Sequence, residues 1–284
     1  MIEKAGVVGG GFMGSGIAEA VARAGIPVVV YEPEEPPLER SRGRVEQSVA
    51  RAVRGGKLEA GEVDLVMDRI EVSTDIESAA GADLVVEAVP EDLALKRSVF
   101  EVLGNAVSGD TILASNTSSI PIAQLGSWTD TPDRVIGLHF FSPVPVMRLV
   151  EVVVGIDTSD ATVDRAEEFA RSIGKEPIRT KDRSGFIVNM LLVPYLMAAV
   201  RMLEDGFATR EDIDMGMKLG AGHPMGPLAL CDFIGLDVLY AVCDSLYEEF
   251  KRPEYAPPPL LKRMVVSGHH GRKTGRGFYV YEAT

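Results

Sequence analysis

The chain has 284 residues, 46% hydrophobic and 25% charged, with a formal net charge of −13. Such length and composition describe an ordinary folded protein with room for two domains and exclude gross disorder. The acidic balance argues against a nucleic-acid partner or an anionic membrane surface, while leaving room for one small basic site for an anionic ligand.

In chain order, residues 4–8 read as a short buried strand and 11–24 as a helix rich in small residues. Residues 26–31, Ile-Pro-Val-Val-Val-Tyr, read as a second buried strand, with Pro27 at its start, where a missing N–H costs least. Residues 34–55 have helical spacing and a strongly charged face. Further strands are expected over 69–73, 83–88, 111–114, 134–138, 148–154 and 176–180, with helices over 91–107 and 159–173 among them. This alternation predicts an α/β fold, a Rossmann-type mostly parallel sheet covered by helices.

The texture changes after Arg183. Residues 185–204 form a long, mostly apolar helix pattern in which Pro194 marks a kink or an unrecognised turn. Helices with Gly/Pro loops follow, and no strand pattern returns until 277–281. The expected division is a nucleotide-binding domain over 1–183 and an all-helical C-terminal domain over 184–284. Cys231 and Cys243 make neither a disulfide framework nor a metal-like pair, so no metal is expected. No apolar run approaches the roughly 18 residues of a membrane span, and the N-terminus carries no basic-plus-apolar leader. A cytoplasmic protein without a membrane partner is the expectation.

Gly9-Gly10-Gly11-Phe12-Met13-Gly14 follows the first strand and opens the first helix, as G-x-G-x-x-G does in dinucleotide-binding units. Gly9 would permit the tight turn, Gly11 the approach of a pyrophosphate, and Gly14 close packing of helix on strand. Phe12 and Met13 begin the helix, whose unpaired N–H groups would face the phosphates. Glu32 ends the second strand 21 residues beyond Gly11, where an acid accepts ribose hydroxyls. Pro33, Glu34 and Glu35 follow, with no arginine to receive a 2′-phosphate, so NAD is favoured over NADP.

His139, one of four histidines, lies in the strand-like run Gly137-Leu138-His139-Phe140-Phe141, and Glu151 lies in the apolar run 149–154. A lone histidine is commonly a satisfied core residue. A carboxylate in such a run, however, is costly to bury without a partner. Pairing the two across neighbouring strands, through a turn marked by Pro143 and Pro145, answers both. The imidazole could then take a proton near neutral pH, with the carboxylate fixing its tautomer. Arg148 is a rival partner for Glu151, although three residues along a strand it should face the other way.

Six motifs together resemble the L-3-hydroxyacyl-CoA dehydrogenase family. They are the fingerprint, Ala114-Ser115-Asn116-Thr117-Ser118-Ser119-Ile120, His139-Phe140-Phe141-Ser142-Pro143, Gly185-Phe186-Ile187-Val188-Asn189, His223-Pro224-Met225-Gly226-Pro227, and residues 271–279. The stand-alone length is similar to the short-chain bacterial branch that acts on 3-hydroxybutyryl-CoA. The resemblance implies His139 as general base on the C3 hydroxyl and Glu151 as its orienter. It implies Ser118 and Asn189 as contacts near the reacting oxygen. By residue pattern alone, Ser118 reads as a helix N-cap before 120–125 and Asn189 as an exposed helix residue.

Glu91, Lys96 and Lys273 match family residues beside the cofactor; as bare sequence each is a solvated charge. Residues 48–57 correspond to the family's coenzyme A-binding arm. Ser48 aligns, but Gly55 stands where the family has a lysine. Arg51, Arg54 and Lys57 are candidate replacements for a CoA phosphate contact. His223 reads as a structural turn residue, and His269 and His270 as solvated. The apolar helix faces of the second domain, with the family pattern, imply a homodimer.

Other readings remain. The related β-hydroxyacid dehydrogenases use a lysine four residues before the helix asparagine, a position held here by Gly185. A Ser–His–acid hydrolase lacks its G-x-S-x-G elbow. A crystallin-like dehydrogenase of a free hydroxy acid, or a non-catalytic NAD-binding protein, would keep the same fold.

Overall fold

Eight short strands lie in the first two thirds of the chain, and the apolar, β-branched character of the central ones explains where they lie. In the computed structural model, which describes residues 1–107 and 109–282, these are β1 (Ala5–Val8), β2 (Val28–Tyr31), β3 (Ile70–Ser73), β4 (Leu84–Glu87), β5 (Ile112–Ser115), β6 (Val135–Phe140), β7 (Leu149–Val154) and β8 (Glu176–Lys181). They form one sheet in the order β3-β2-β1-β4-β5-β6-β7-β8. All pairs are parallel except β6–β7, which is antiparallel. Every residue of β1, β4, β5 and β6 is buried, the pattern of a sheet covered on both faces. The charged, Pro-containing β8 forms one edge.

The covering helices are α1 (Phe12–Arg23), α2 (Glu35–Arg54), α3 (Val63–Met67), α4 (Ile76–Ala80), α5 (Leu93–Ala106), α6 (Ile122–Gly126) and α7 (Asp160–Ser172). Their inward faces join the strands in one core that includes Ile17, Val21, Val30, Val86, Ile136 and Phe169. The mostly parallel Rossmann-type sheet expected from the strand–helix alternation is present. Helices α3, α4 and α6, five residues each, are too short to impose a legible period.

Two compact units divide the chain, Met1–Arg183 and Ser184–Thr284. The second contains α8 (Val188–Glu204), α9 (Arg210–Gly220), α10 (Pro227–Ile234), α11 (Leu236–Phe250) and α12 (Pro259–Val266). Its core gathers Val193, Leu196, Val200, Leu239 and Leu246. Helix α8 runs through Pro194, so the alternative of a turn there is discarded. The strand expected over 277–281 does not form; the segment makes only the isolated bridge Arg276↔Val280. Two of its N–H groups are taken by the buried Asp232 carboxylate, which accepts from Phe278 N at 2.8 Å and Tyr279 N at 2.9 Å, while Gly277 N and Tyr281 N bond to nearby backbone carbonyls. Among the described residues no helix is long and apolar enough to cross a membrane.

Candidate active site

At the end of β1 the three fingerprint glycines meet three different constraints. Gly9 has φ +98°, and a Cβ there would lie 2.9 Å from the Ala88 carbonyl. A Cβ on Gly14 would lie 1.8 Å from the Gly9 oxygen, so only glycine lets α1 sit this close to the strand. Around Gly11 nothing lies within 4 Å, leaving space for a ligand's approach. Gly11 provides no side-chain cap for α1, so the first-turn N–H groups of Phe12 and Met13 are left for an anion. Glu32 accepts a hydrogen bond from Gly10 N at 2.7 Å through one oxygen. A glycine turn, an uncapped helix start and an acid on the second strand fit the pyrophosphate and ribose of a dinucleotide.

The β6–β7 register sets His139 directly opposite Glu151. His139 Nδ1 and Glu151 Oε2 are 2.7 Å apart, and both residues are buried. On the other side of the ring, His139 Nε2 lies 3.1 Å from Ser118 Oγ. A carboxylate only accepts, so the proton resides on Nδ1 and the Nε2 lone pair faces Ser118. Arg148 instead pairs with Glu176 at 2.6 Å on the exposed edge. The turn between the strands is tied by Lys175, whose ammonium donates to the carbonyls of Val144 and Met147. Burial, aided by the nearby Arg23, pushes the Lys175 pKa down.

Ser118 belongs to a loop held by carboxylates. Its reading as an N-cap is corrected. Helix α6 starts later, at Ile122, and is capped by Asp182, which accepts from Ile122 N at 2.9 Å and Ala123 N at 2.8 Å. Asn116 Oδ1 accepts from Phe140 N at 2.9 Å, fixing this loop to the end of β6. Glu91 Oε1 accepts from Thr117 Oγ1 at 2.5 Å, Ser118 N at 3.0 Å, Ser119 N at 3.2 Å and Ser119 Oγ at 3.0 Å. Partial burial pushes the Glu91 carboxyl up, but the Lys96 charge and the bonds from Thr117 and Ser118 outweigh it, and the pKa lies below the usual carboxylate value. Lys96 is not a solvated charge. It is 1% exposed, with its ammonium on Glu87 at 2.7 and 2.8 Å and on Glu91 at 3.2 Å.

A cavity of about 590 Å³ lies along α1 and α2. Ser48, Arg51, Gly55 and Lys57 line it, joined by Arg23 and Arg44, which residue patterns had not singled out. Arg44 also donates to the Gly10 carbonyl at 2.8 Å. Arg54, by contrast, is not among the lining residues. Glu19 also lines the cavity although it is 1% exposed, and its Oε2 has no hydrogen-bond partner. Burial pushes its carboxyl up, against weaker opposing pulls from Ser48 and Arg23.

In the second unit, Asn189 stands half-buried in the first turn of α8. Lys273 is exposed and pairs with Asp237 at 2.6 Å. His223 Nδ1 lies 3.1 Å from the Tyr195 hydroxyl, while His270, read as solvated, is half-buried with Nε2 3.1 Å from the Val265 carbonyl. Cys231 and Cys243 are free and buried, and burial pushes the Cys243 thiol up to about 12. Among the described residues no group of three or more His, Cys, Asp or Glu side chains could hold a metal ion.

The chain is similar to known proteins along nearly its whole length. Residues 4–183 match the NAD-binding domain model of 3-hydroxyacyl-CoA dehydrogenase, and residues 185–281 match its C-terminal domain model. A 3-hydroxybutyryl-CoA dehydrogenase of Mycobacterium tuberculosis is 51% identical over 282 residues, covering 99% of both chains. A solved M. tuberculosis structure, also 51% identical, superposes with a TM-score of 0.97 over 99% of each chain. The (S)-3-hydroxybutyryl-CoA dehydrogenase of Ralstonia eutropha is 43% identical, with a TM-score of 0.93 over all of both chains. The chain belongs to the 3-hydroxyacyl-CoA dehydrogenase family, whose first domain binds NAD.

Proposed function

We propose that the chain interconverts short-chain (S)-3-hydroxyacyl-CoA and 3-oxoacyl-CoA, with 3-hydroxybutyryl-CoA and acetoacetyl-CoA as its pair. One observation carries the reading: His139 is bonded to Glu151 at 2.7 Å on one nitrogen and to Ser118 at 3.1 Å on the other, in a fold with a dinucleotide fingerprint. When bound at the fingerprint, NAD supplies the acceptor for the two electrons and hydrogen leaving C3. His139 Nε2 takes the C3 hydroxyl proton as the carbonyl forms, and returns it in the reverse direction. Glu151 holds the ring and stabilises the imidazolium. Ser118 Oγ donates to the substrate oxygen. For Asn189 and Lys273 the family resemblance alone supports the substrate and cofactor roles. Ser48, Arg51 and Lys57, with Arg23 and Arg44, offer the CoA phosphates a basic wall on an acidic protein.

The assay is NADH oxidation with acetoacetyl-CoA, set beside NADPH and beside free acetoacetate. Activity should require both NADH and the CoA thioester; equal turnover of free acetoacetate would sink the substrate assignment. His139→Gln should lower kcat by roughly two to four orders of magnitude, the scale of losing a general base. Arg51→Gln should raise KM for acetoacetyl-CoA several-fold and leave kcat near the wild-type value.

A further inference from the structure

The most densely bonded charged cluster in the first unit is one to which the mechanism assigns no task. Glu87 ends the interior strand β4 with 0% exposure, beside Ser115, where the Ser118 loop leaves the C-terminal end of β5. Both its oxygens receive the Lys96 ammonium, at 2.7 and 2.8 Å. Oε1 also accepts from Val89 N at 2.7 Å, and Oε2 from Ser115 Oγ at 2.6 Å. Each oxygen therefore has two donors, and the Lys96 ammonium spends its remaining donor on Glu91 at 3.2 Å.

Two lines run from this carboxylate into the loop. One passes through Lys96 to Glu91, whose Oε1 collects the N–H groups of Ser118 and Ser119 and the hydroxyls of Thr117 and Ser119. The other passes through Ser115, whose Oγ accepts from Thr117 N at 3.1 Å. Both end on the turn that carries Ser118, and Ser118 Oγ lies 3.1 Å from His139 Nε2. The ammonium thus joins the buried Glu87 to the more exposed Glu91.

We propose that Glu87 is a positioning residue for the dehydrogenase reaction, anchoring the 115–119 loop through Lys96 and Ser115 so that Ser118 meets the substrate oxygen and His139 together. Lys96 and Glu91 then act as links in this anchor. The inference rests on Ser118 having the role given above. A displacement of about 1 Å at such a site costs up to about 100-fold in rate, which sets the scale of the effect.

The test is a double-mutant cycle on kcat for acetoacetyl-CoA reduction, with NADH affinity followed by its fluorescence. Glu87→Gln should lower kcat about 10- to 100-fold and change the Kd for NADH less than about threefold. In a Ser118→Ala background the same substitution should cost less than about twofold, because its effect passes through Ser118. Losses that multiply, or a large rise in Kd for NADH with kcat retained, overturn the proposal. Where Glu87→Gln does not fold, Ser115→Ala, which removes one hydroxyl and no charge, is read in the same cycle against the same outcomes. Ser118→Ala alone with wild-type kcat would sink the role of Ser118 itself, a failure distinct from multiplied losses, which sink only the anchor.

Discussion

A buried carboxylate is a demand for a partner, and at three positions this chain meets that demand differently. Glu151 is met by His139, and Glu87 by an ammonium, a hydroxyl and an amide. Glu19 is met only in part, by Arg23 at 3.3 Å on one oxygen. Its folded-state pKa therefore lies above the unfolded value. The fold favours the neutral acid, so this contribution to stability is complete below the unfolded pKa and is lost as pH rises through the folded one. Glu19→Gln fixes the neutral form. Its Tm relative to wild type should rise as pH increases above the unfolded carboxylate pKa of about 4 and level off once pH passes the folded value, measured by thermal melts; a constant difference would remove Glu19 from this role. The partnering of Glu151 was legible because a carboxylate interrupts an apolar run. The same signal marks Glu87 at the end of Leu84–Glu87 and Glu19 within α1. Lys96 was not legible at all. Leu93 and Leu95 beside it are 48% and 38% exposed while Lys96 is 1%, which inverts the usual sorting of residues on a helix.

Among the elements, strands announced themselves through continuous apolar runs, and long helices through their period. Neither signal exists for five-residue helices, and a tertiary partner can set where one begins. Helix α6 is the clearest case. Asp182, 60 residues away from Ile122 in sequence, satisfies its first N–H groups. Asp182→Ala leaves those donors without a partner and should cost about 1–2 kcal/mol, the usual range for a lost helix cap. For a unit of this size the melting temperature should fall by roughly 2–4 °C per kcal/mol. An unchanged Tm would mean that water replaces the cap without loss. The 277–281 segment teaches the complementary lesson. Its residues have strand-like composition, yet the Asp232 carboxylate captures the N–H groups of Phe278 and Tyr279 at its centre. Element type there follows from a residue some 46 positions away, which no local pattern contains.

At the scale of the whole molecule, the second unit exposes Leu191 at 72%, Phe207 at 78%, Leu219 at 79% and Val266 at 80%. That much apolar surface favours a partner, and a second copy of this chain is the occupant proposed. Sedimentation velocity at micromolar concentration should give twice the 30.5 kDa of one chain; a single species at the monomer mass would refute it. The molecule's choice between a cell's two nicotinamide pools has a local origin. Glu32 is the acceptor for the fingerprint's own Gly10 amide at 2.7 Å, so the acid proposed to meet the ribose also holds the fingerprint turn. Retargeting the enzyme to the phosphorylated pool therefore takes more than a neutral residue at position 32. Such a change orphans the Gly10 amide, and a successful redesign must give that amide a new acceptor along with the added phosphate a cation.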